Sequence, residues 1–183
     1  MLVVAIVGMA GAGKSEVSRV FESKGFARIR FGDVTDEELQ KQGLALTEEN
    51  ERRMREALRQ RYGMEAYAML NLSKIDLALK TTPVVVDGLY SWEEYTFLGN
   101  YFHQNFRVVA VWSSPATRYA RLSQRPVRPL TLKEAYNRDE AEITHLNKAG
   151  AIAMADCTIV NEGSLKDLEK ETKKTISSME KQP

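Results

Sequence analysis

Residues 8–15 form a glycine-rich segment, Gly-Met-Ala-Gly-Ala-Gly-Lys-Ser, that matches the pattern G-x-x-x-x-G-K-S. The continuous apolar run Leu2–Val7 precedes it, and Val17, Val20 and Phe21 follow at helical spacing. A strand, a glycine turn and a helix in this order point backbone N–H groups and the positive end of the helix dipole at one anion. The sequence therefore predicts a phosphate-binding loop that follows a buried strand.

The loop residues have distinct predicted roles. Lys14 reaches the β- and γ-phosphates of a nucleoside triphosphate, and the Ser15 hydroxyl ligates Mg²⁺. Backbone N–H groups of the other loop residues surround the phosphates. The predicted nucleotide-binding segment is therefore Gly8, Met9, Ala10, Gly11, Ala12, Gly13, Lys14 and Ser15.

Short apolar runs alternate with amphipathic stretches along the rest of the chain. This alternation is typical of an α/β domain with a mainly parallel sheet. A length of 183 residues is that of a single domain, residues 1–183. The predicted strands are Leu2–Val7, Phe26–Arg30, Pro83–Val86, Phe106–Trp112 and Cys157–Val160.

Several predicted helices begin at recognisable capping residues. Ser or Thr followed three residues later by Glu is a capping box, and a lone Thr or Ser also caps a helix. By these signals helices begin at or just after Thr35, Thr47, Ser91, Thr131 and Ser164.

Composition excludes some classes of protein. A formal net charge of +1 argues against a dedicated nucleic-acid surface. A single cysteine, Cys157, permits no intramolecular disulfide, which fits a cytoplasmic location. The run Leu2–Val7 is too short for a signal peptide or membrane span, so no membrane partner is expected. His103 and His145 show no metal-binding pattern, and the oligomeric state stays open.

Five features in order carry a family resemblance. The chain resembles the nucleoside monophosphate kinase group, and most of all a family related to adenylate kinase and dephospho-CoA kinase. The resemblance implies a three-layer α/β/α fold with a five-stranded parallel sheet and a mobile helical lid at about residues 123–150. The features are the phosphate loop, Asp33 in Phe31–Val34, Asp87-Gly88 after a valine-rich strand, Arg121 to Arg125, and Ala155-Asp156 with Asn161 to Ser164.

Candidate catalytic residues beyond Lys14 follow from position and from this resemblance. Asp87 ends a strand beside the loop and could hold Mg²⁺ through water, although Asp-Gly is also an ordinary turn. The resemblance implies that Arg121 stacks on adenine and that Arg125 contacts phosphates; a solvated helix face is the alternative. Arg138, like Arg128, would bring positive charge from the lid, or pair with Glu142 on the surface.

Other positions carry two interpretations each. Asn161 and Gly163 would hold backbone groups against the adenine edge, as the resemblance implies, or form a plain turn. Asp33 would lie near the phosphoryl acceptor or cap a turn. Arg118 is a weaker lid candidate whose alternative is a surface salt bridge.

The chain departs from its relatives where they hold the acceptor's phosphate. They carry arginines in the stretch matching Val34–Asp36 and just after Asp87-Gly88, where this chain has Leu89-Tyr90. Arginines on one face of the helix after Thr47 could replace them. Alternatively the acceptor presents no phosphate there, and aromatic residues line its pocket or pack in the core. The residues concerned are Arg52, Arg55 and Arg59 for the first account, and Tyr90, Trp92 and Tyr95 for the second.

These features favour an ATP-binding P-loop phosphotransferase that moves the γ-phosphoryl group of MgATP to a small nucleotide-like acceptor touching Asp33 and Tyr90. ATP and Mg²⁺ are the expected cofactors. Dephospho-CoA kinase is one alternative. A nucleotide sensor or slow NTPase without a small-molecule acceptor is another, supported by the missing arginines. Because of those missing arginines, we also expect a poor adenylate kinase.

Overall fold

The computed structural model of the chain describes residues 1–126 and 129–179, with the main chain alone at Glu48. Its strands form one parallel sheet in the order β2-β3-β1-β4-β5. The pairing is parallel throughout, from Val3 opposite Val84 to Trp112 opposite Val160. The strands are β1 (Val3–Val7), β2 (Ala27–Arg30), β3 (Val84–Asp87), β4 (Phe106–Trp112) and β5 (Cys157–Val160).

The sheet confirms the predicted α/β fold with five parallel strands. The predicted bounds of β4 and β5 are correct, β1 and β2 each begin one residue later than predicted, and β3 begins and ends one residue later. β1 and β3 are buried on both faces, as an apolar run without alternation predicts. Their carboxyl ends carry the phosphate loop and Asp87, and the resulting edge of the sheet is where ligands of such folds bind.

Helices cover both faces of the sheet and make the predicted three layers. One face, with Val4, Ile6 and Val85, packs against α1 and α9. The other face, with Val3, Ala5 and Val86, packs against side chains of α2 to α5 and α8. The helices are α1 (Lys14–Ser23), α2 (Asp33–Lys41), α3 (Glu48–Tyr62), α4 (Ala66–Ala78), α5 (Trp92–Phe102), α6 (Pro115–Ser123), α7 (Leu132–Thr144), α8 (Lys148–Ala153) and α9 (Leu165–Met179).

Four of the five predicted helix starts are confirmed. Ser91 and Thr131 form complete capping boxes, Thr47 accepts from Asn50, and Ser164 accepts from Asp167. The fifth was wrong. α2 begins two residues before Thr35, after Gly32, and the Thr35 hydroxyl lies 2.6 Å from the Tyr67 hydroxyl instead. A tertiary hydrogen bond outcompeted the local cap.

The predicted lid segment, about residues 123–150, contains α7 and the start of α8. Residues 127–128 lie outside the described residues, so Arg128 does too. The mobility of the lid segment, and the assignment of residues 1–183 to one domain, stay predictions. No helix among the described residues is long and apolar enough to cross a membrane.

Candidate functional site

The phosphate loop curves tightly between β1 and α1. Gly11 and Gly13 have φ of 81° and 101°, a left-handed region that favours glycine. A methyl group on Gly11 would lie 2.8 Å from the Arg118 carbonyl oxygen, and one on Gly13 would lie 2.4 Å from the Asn161 amide nitrogen. The loop therefore has both the backbone shape and the close packing that its glycines predict. This cradle, lined by Lys14 and Ser15, fits a nucleotide phosphate.

Lys14 folds back over the loop in this structure. Its Nζ donates to the carbonyl oxygens of Gly8, at 2.8 Å, and Met9, at 3.1 Å. Burial lowers the pKa of Lys14 to about 7, and the nearby ammonium of Lys148 adds to the shift. An incoming phosphate would offer Lys14 the negative charge that the carbonyls lack, which favours its charged form.

A cavity of about 140 Å³ opens beside Lys14 at the carboxyl edge of the sheet. Positive side chains outnumber carboxylates in its described lining. The carboxylates are Asp87 and Glu142, and the cations are Lys14, Arg30, Arg125, Arg138 and Lys148. Such an excess of positive charge suits a site that binds and transfers phosphoryl groups.

Asp87 lies at the predicted position, at the end of β3 and in the lining of the cavity. Its carboxylate is 6% exposed and accepts from the Arg28 guanidinium, including Nε at 3.2 Å. Ser15 lines the same cavity. A hydroxyl and a carboxylate are hard oxygen donors, so these residues fit the Mg²⁺ that the sequence predicts. Arg28 balances the charge of Asp87 in this structure.

Two of the three arginines predicted to be catalytic line the cavity. Arg125 and Arg138 line it, and burial together with Arg138 lowers the pKa of Arg125. Arg121 lies outside this lining: it donates to the Ser113 hydroxyl at 3.1 Å and to the Asn161 side chain at 3.4 Å. Its place by the β5 end is compatible with base stacking, which stays a prediction.

Asn161 packs under the phosphate loop. Its side-chain nitrogen donates to the Ala12 carbonyl at 2.8 Å, and the residue is buried. Gly163 lies two residues further along the chain, near the start of α9. The Asn161 amide therefore supports the loop in this structure, while contact of either residue with adenine stays a prediction.

Of the two predicted acceptor-binding residues, one lines the cavity and the other does not. Tyr90 lines the cavity, and burial together with Glu94 and Asp87 raises its pKa, so its hydroxyl is neutral. Asp33 lies outside the lining and pairs with Arg30, with Asp33 Oδ1 and Arg30 Nη1 3.0 Å apart. Trp92 stacks on Tyr95 with centroids 4.9 Å apart, in the packing between α5 and α8. Of the three aromatic candidates, Tyr90 faces the cavity.

Arginines of α3 do not line the cavity in the described structure. Arg59 lies over the Tyr67 ring, 5.2 Å from its centroid, and Arg55 pairs with Glu51. Arg30, at the end of β2, lines the cavity instead, and this position was not singled out from the sequence. Its signal was available: Arg30 immediately precedes the Phe31-Gly32-Asp33 motif.

Lys148 was not predicted from the sequence as a site residue, and Glu142 was considered only as a surface partner of Arg138; both line the cavity. Lys148 is 1% exposed, and its Nζ lies 2.7 Å from Glu142 Oε2 and 5.5 Å from the Tyr90 ring centroid. Arg138 Nε donates to the other Glu142 oxygen at 3.2 Å. Burial alone would raise the pKa of Glu142, but Lys148, Lys14 and Arg138 together lower it to about 2. The Arg138–Glu142 pair, which was the surface alternative to a lid role for Arg138, is therefore part of the cavity wall.

Arg118 is a structural residue of this region. Its guanidinium is buried and binds Asp139 of α7 through two bonds, of 2.8 Å and 2.6 Å. It also donates to the carbonyls of Ala10, at 3.2 Å, and Ser113, at 3.1 Å. The surface salt bridge that the sequence allowed is thus a buried one. It ties α6, α7 and the phosphate loop together.

Glu94 is a buried carboxyl group whose titration should make unfolding pH-dependent. Burial raises its pKa to about 7, although the Tyr90 and Ser91 amides and Arg59 oppose the shift. The folded state therefore keeps a proton that the unfolded chain releases above its ordinary value of 4.5. We expect Glu94 to lower the free energy of unfolding by on the order of 3 kcal/mol as pH rises from about 4.5 to above 7.

Urea unfolding at several pH values measures this contribution. Glu94→Gln should lose that part of the pH dependence, because glutamine still accepts from the amides and does not titrate. The exposed Glu140→Gln of α7 serves as the matched control and should follow the unmodified chain. A Glu94→Gln curve with the unmodified slope between pH 5 and 8 would contradict the assignment.

Comparisons with known proteins show the family to which the chain belongs. A family model described as an AAA domain matches residues 4–145. UPF0200 protein TK1334 of Thermococcus kodakarensis is 38% identical over 182 residues, which cover 97% of this chain and 98% of that protein.

Solved structures show the same fold. A gluconokinase from Sinorhizobium meliloti 1021 has a TM-score of 0.60 at 14% identity, over 97% of this chain and 93% of its own. A shikimate kinase from Acinetobacter baumannii in complex with shikimate has a TM-score of 0.59 at 16% identity, over 100% of this chain and 96% of its own. The fold is that of P-loop small-molecule kinases, and by its matches the chain belongs to the AAA domain family and to the UPF0200 family.

Proposed function

We propose that this protein is an ATP-dependent kinase of a small molecule, which transfers the γ-phosphoryl group of MgATP to an acceptor bound in the cavity beside Lys14. The observation that carries the proposal is a convergence. The phosphate loop, two arginines of the predicted lid segment and a strand-end carboxylate face one cavity. The gluconokinase and shikimate kinase of the same fold, named for small acceptors, support the reaction class.

The chain's own residues have clear parts in such a transfer. Loop amides and Lys14 hold the β- and γ-phosphates, and Arg125 and Arg138 offset the charge that spreads over the γ-oxygens in the transition state. In-line transfer demands positioning more than covalent chemistry. Ser15, directly, and Asp87, through water, would hold Mg²⁺, which when bound neutralises charge between the β- and γ-phosphates.

Arg28 adds one expectation to this scheme. The Arg28 guanidinium donates hydrogen bonds to the Asp87 carboxylate in this structure. Mg²⁺ with its waters would therefore compete with Arg28 for that carboxylate. The ion pair keeps the buried Asp87 charge compensated when no metal is near, because an unpaired buried carboxylate is costly.

Transfer should require a divalent metal. With ATP labelled in the γ-phosphate, we expect label in a small-molecule product when Mg²⁺ or Mn²⁺ is present, and none in excess chelator. Restoring Mg²⁺ after chelation is the control for loss of fold. Full transfer in excess chelator would contradict the proposed metal role.

The same assay separates a kinase from the sensor alternative. A kinase moves the label to an acceptor and forms ADP in equal amount. A sensor or slow NTPase releases labelled inorganic phosphate at a rate that no acceptor changes. The acceptor panel includes dephospho-CoA because the sequence offers dephospho-CoA kinase as an alternative function. Acceptor-independent hydrolysis as the sole reaction would overturn the proposal.

A further inference from the structure

We infer that the Glu142–Lys148 pair and Arg30 form the acceptor subsite, and that they select a small hydroxylated carboxylic acid over a nucleoside monophosphate. The inference rests on the proposed kinase function and goes beyond it by naming the acceptor class. Three observations carry it: the donor–acceptor pair in the cavity wall, the position of Arg30 at the end of a strand two places from β1 in the sheet, and the size of the cavity.

The Glu142–Lys148 pair can bind a hydroxyl group through both its oxygen and its proton. Lys148 Nζ and Glu142 Oε2 lie 2.7 Å apart in the cavity wall, so an ammonium donor and a carboxylate acceptor stand side by side. A hydroxyl both donates and accepts and therefore matches the pair. Each carboxylate oxygen has a second lone pair and the ammonium has three protons, so capacity remains after they bind each other.

A phosphate monoester fits this pair poorly. Glu142 stays ionised, because Lys148, Lys14 and Arg138 lower its pKa against the effect of burial. A carboxylate facing a phosphate dianion in a partly buried cavity adds repulsion between like charges. The stretches Val34–Asp36 and Leu89-Tyr90 contain no arginine that could offset the charge of such a phosphate.

Arg30 supplies a separate site for a carboxylate. It ends β2, two strands away from β1 in the sheet, so its backbone lies roughly 10 Å from the strand that carries the phosphate loop. Arg125 and Arg138, by contrast, come from the lid segment. The planar fork of Arg30 binds a carboxylate through two parallel bonds, in exchange for its exposed contact with Asp33.

The cavity's volume favours a small acceptor. It measures about 140 Å³, below the ~300 Å³ of the smallest common ligand pockets. A γ-phosphate and a molecule of a few carbons are closer to this size than a whole nucleoside monophosphate. The neutral Tyr90 ring forms one wall against the carbon skeleton.

The transfer step is then balanced. The acceptor's hydroxyl oxygen forms a bond to the γ-phosphorus, and the bond from that phosphorus to the β,γ-bridging oxygen breaks. Its electron pair stays on ADP. The hydroxyl proton, hydrogen-bonded to Glu142 in the bound state, ends in solvent.

Matched acceptors test the class directly. The purified chain with MgATP is given D-glycerate and glycerol, D-gluconate and D-sorbitol, shikimate, AMP and dephospho-CoA. We expect at least one hydroxy acid to exceed its own polyol and AMP in kcat/KM by about 10- to 100-fold, the loss that follows removal of a charged hydrogen bond. Transfer to AMP or dephospho-CoA above every acid would overturn the inference and leave the kinase proposal standing. Transfer to none, with hydrolysis alone, would overturn both.

Variants then test the residues. Arg30→Gln should raise KM for the acid about tenfold or more, with little change in kcat, and should reduce the preference over the polyol. Glu142→Gln should lower kcat/KM for the acid by about 10- to 100-fold, while the Kd for MgATP stays within about threefold. Glu140→Gln on the same helix is the control and should leave both unchanged.

Stability is measured beside activity, because Glu142→Gln leaves Lys148 buried without its carboxylate. The double variant Glu142→Gln/Lys148→Met removes both charges and should recover thermal stability. It should still show the lowered kcat/KM. Recovery of acceptor turnover together with stability would mean that the pair is structural, and would overturn the inference.

Discussion

Replacing Lys14 with methionine is expected to reduce phosphoryl transfer by about 100-fold or more, the usual effect of removing one donor from a developing charge. Lys14 Nζ donates to the carbonyls of Gly8 and Met9 at the mouth of the loop and lines the cavity. Methionine keeps the length of the side chain and removes the charge-assisted bond to the phosphates. Single-turnover transfer from labelled ATP measures the loss, and titration with a fluorescent ATP analogue should show weaker binding.

The control for Lys14→Met is Lys24→Met at the other end of α1, where the lysine is exposed. Its turnover should equal that of the unmodified chain. The melting temperature of Lys14→Met should hold or rise, since burial already disfavours the charged ammonium. Lost activity in a folded chain therefore identifies a functional lysine. Unchanged turnover in Lys14→Met would rule out the central proposal.

Replacing Arg118 with leucine is expected to lower the free energy of unfolding by about 3–5 kcal/mol, the usual effect of removing one partner of a buried ion pair. The change leaves Asp139 largely buried with the Tyr119 hydroxyl as its remaining described partner. It also removes the bonds to the carbonyls of Ala10 and Ser113. Because α6, α7 and the phosphate loop meet at this guanidinium, nucleotide binding should weaken too. Urea unfolding with and without MgATP measures both.

Two further variants separate burial from charge. Arg53→Leu breaks an exposed pair with Glu49, whose side chains are 70% and 63% exposed, and should change stability by less than about 1 kcal/mol. Arg118→Leu/Asp139→Leu removes both buried charges and should recover a large part of the loss. Equal effects of Arg118→Leu and Arg53→Leu would contradict the buried role of Arg118.

The sequence alone predicted the features that depend on local physics. Residues 8–15 specify the phosphate loop because the glycines that adopt a left-handed backbone and the helix that follows them lie within a few residues of each other. Apolar runs specify the strands, since a strand buried on both faces tolerates few polar residues. Ser91 and Thr131 specify helix starts because each side chain accepts a hydrogen bond from the backbone N–H three residues later. The fold class followed from these, and so did Lys14, Ser15 and Asp87 as lining residues.

The tertiary structure decided which distant side chains share the cavity. Arg28 and Asp87 are 59 positions apart and meet because β2 and β3 are neighbours in the sheet. Glu142 and Lys148 belong to two helices whose packing buries both, so a pattern that resembled a surface helix face became a cavity wall. Arg30 lines the cavity, and the arginines considered on α3 do not, because β2 ends at the same edge of the sheet. Whether a side chain is buried, and which distant side chain it contacts, depends on how whole helices and strands pack. The local spacing of residues in the sequence encodes neither.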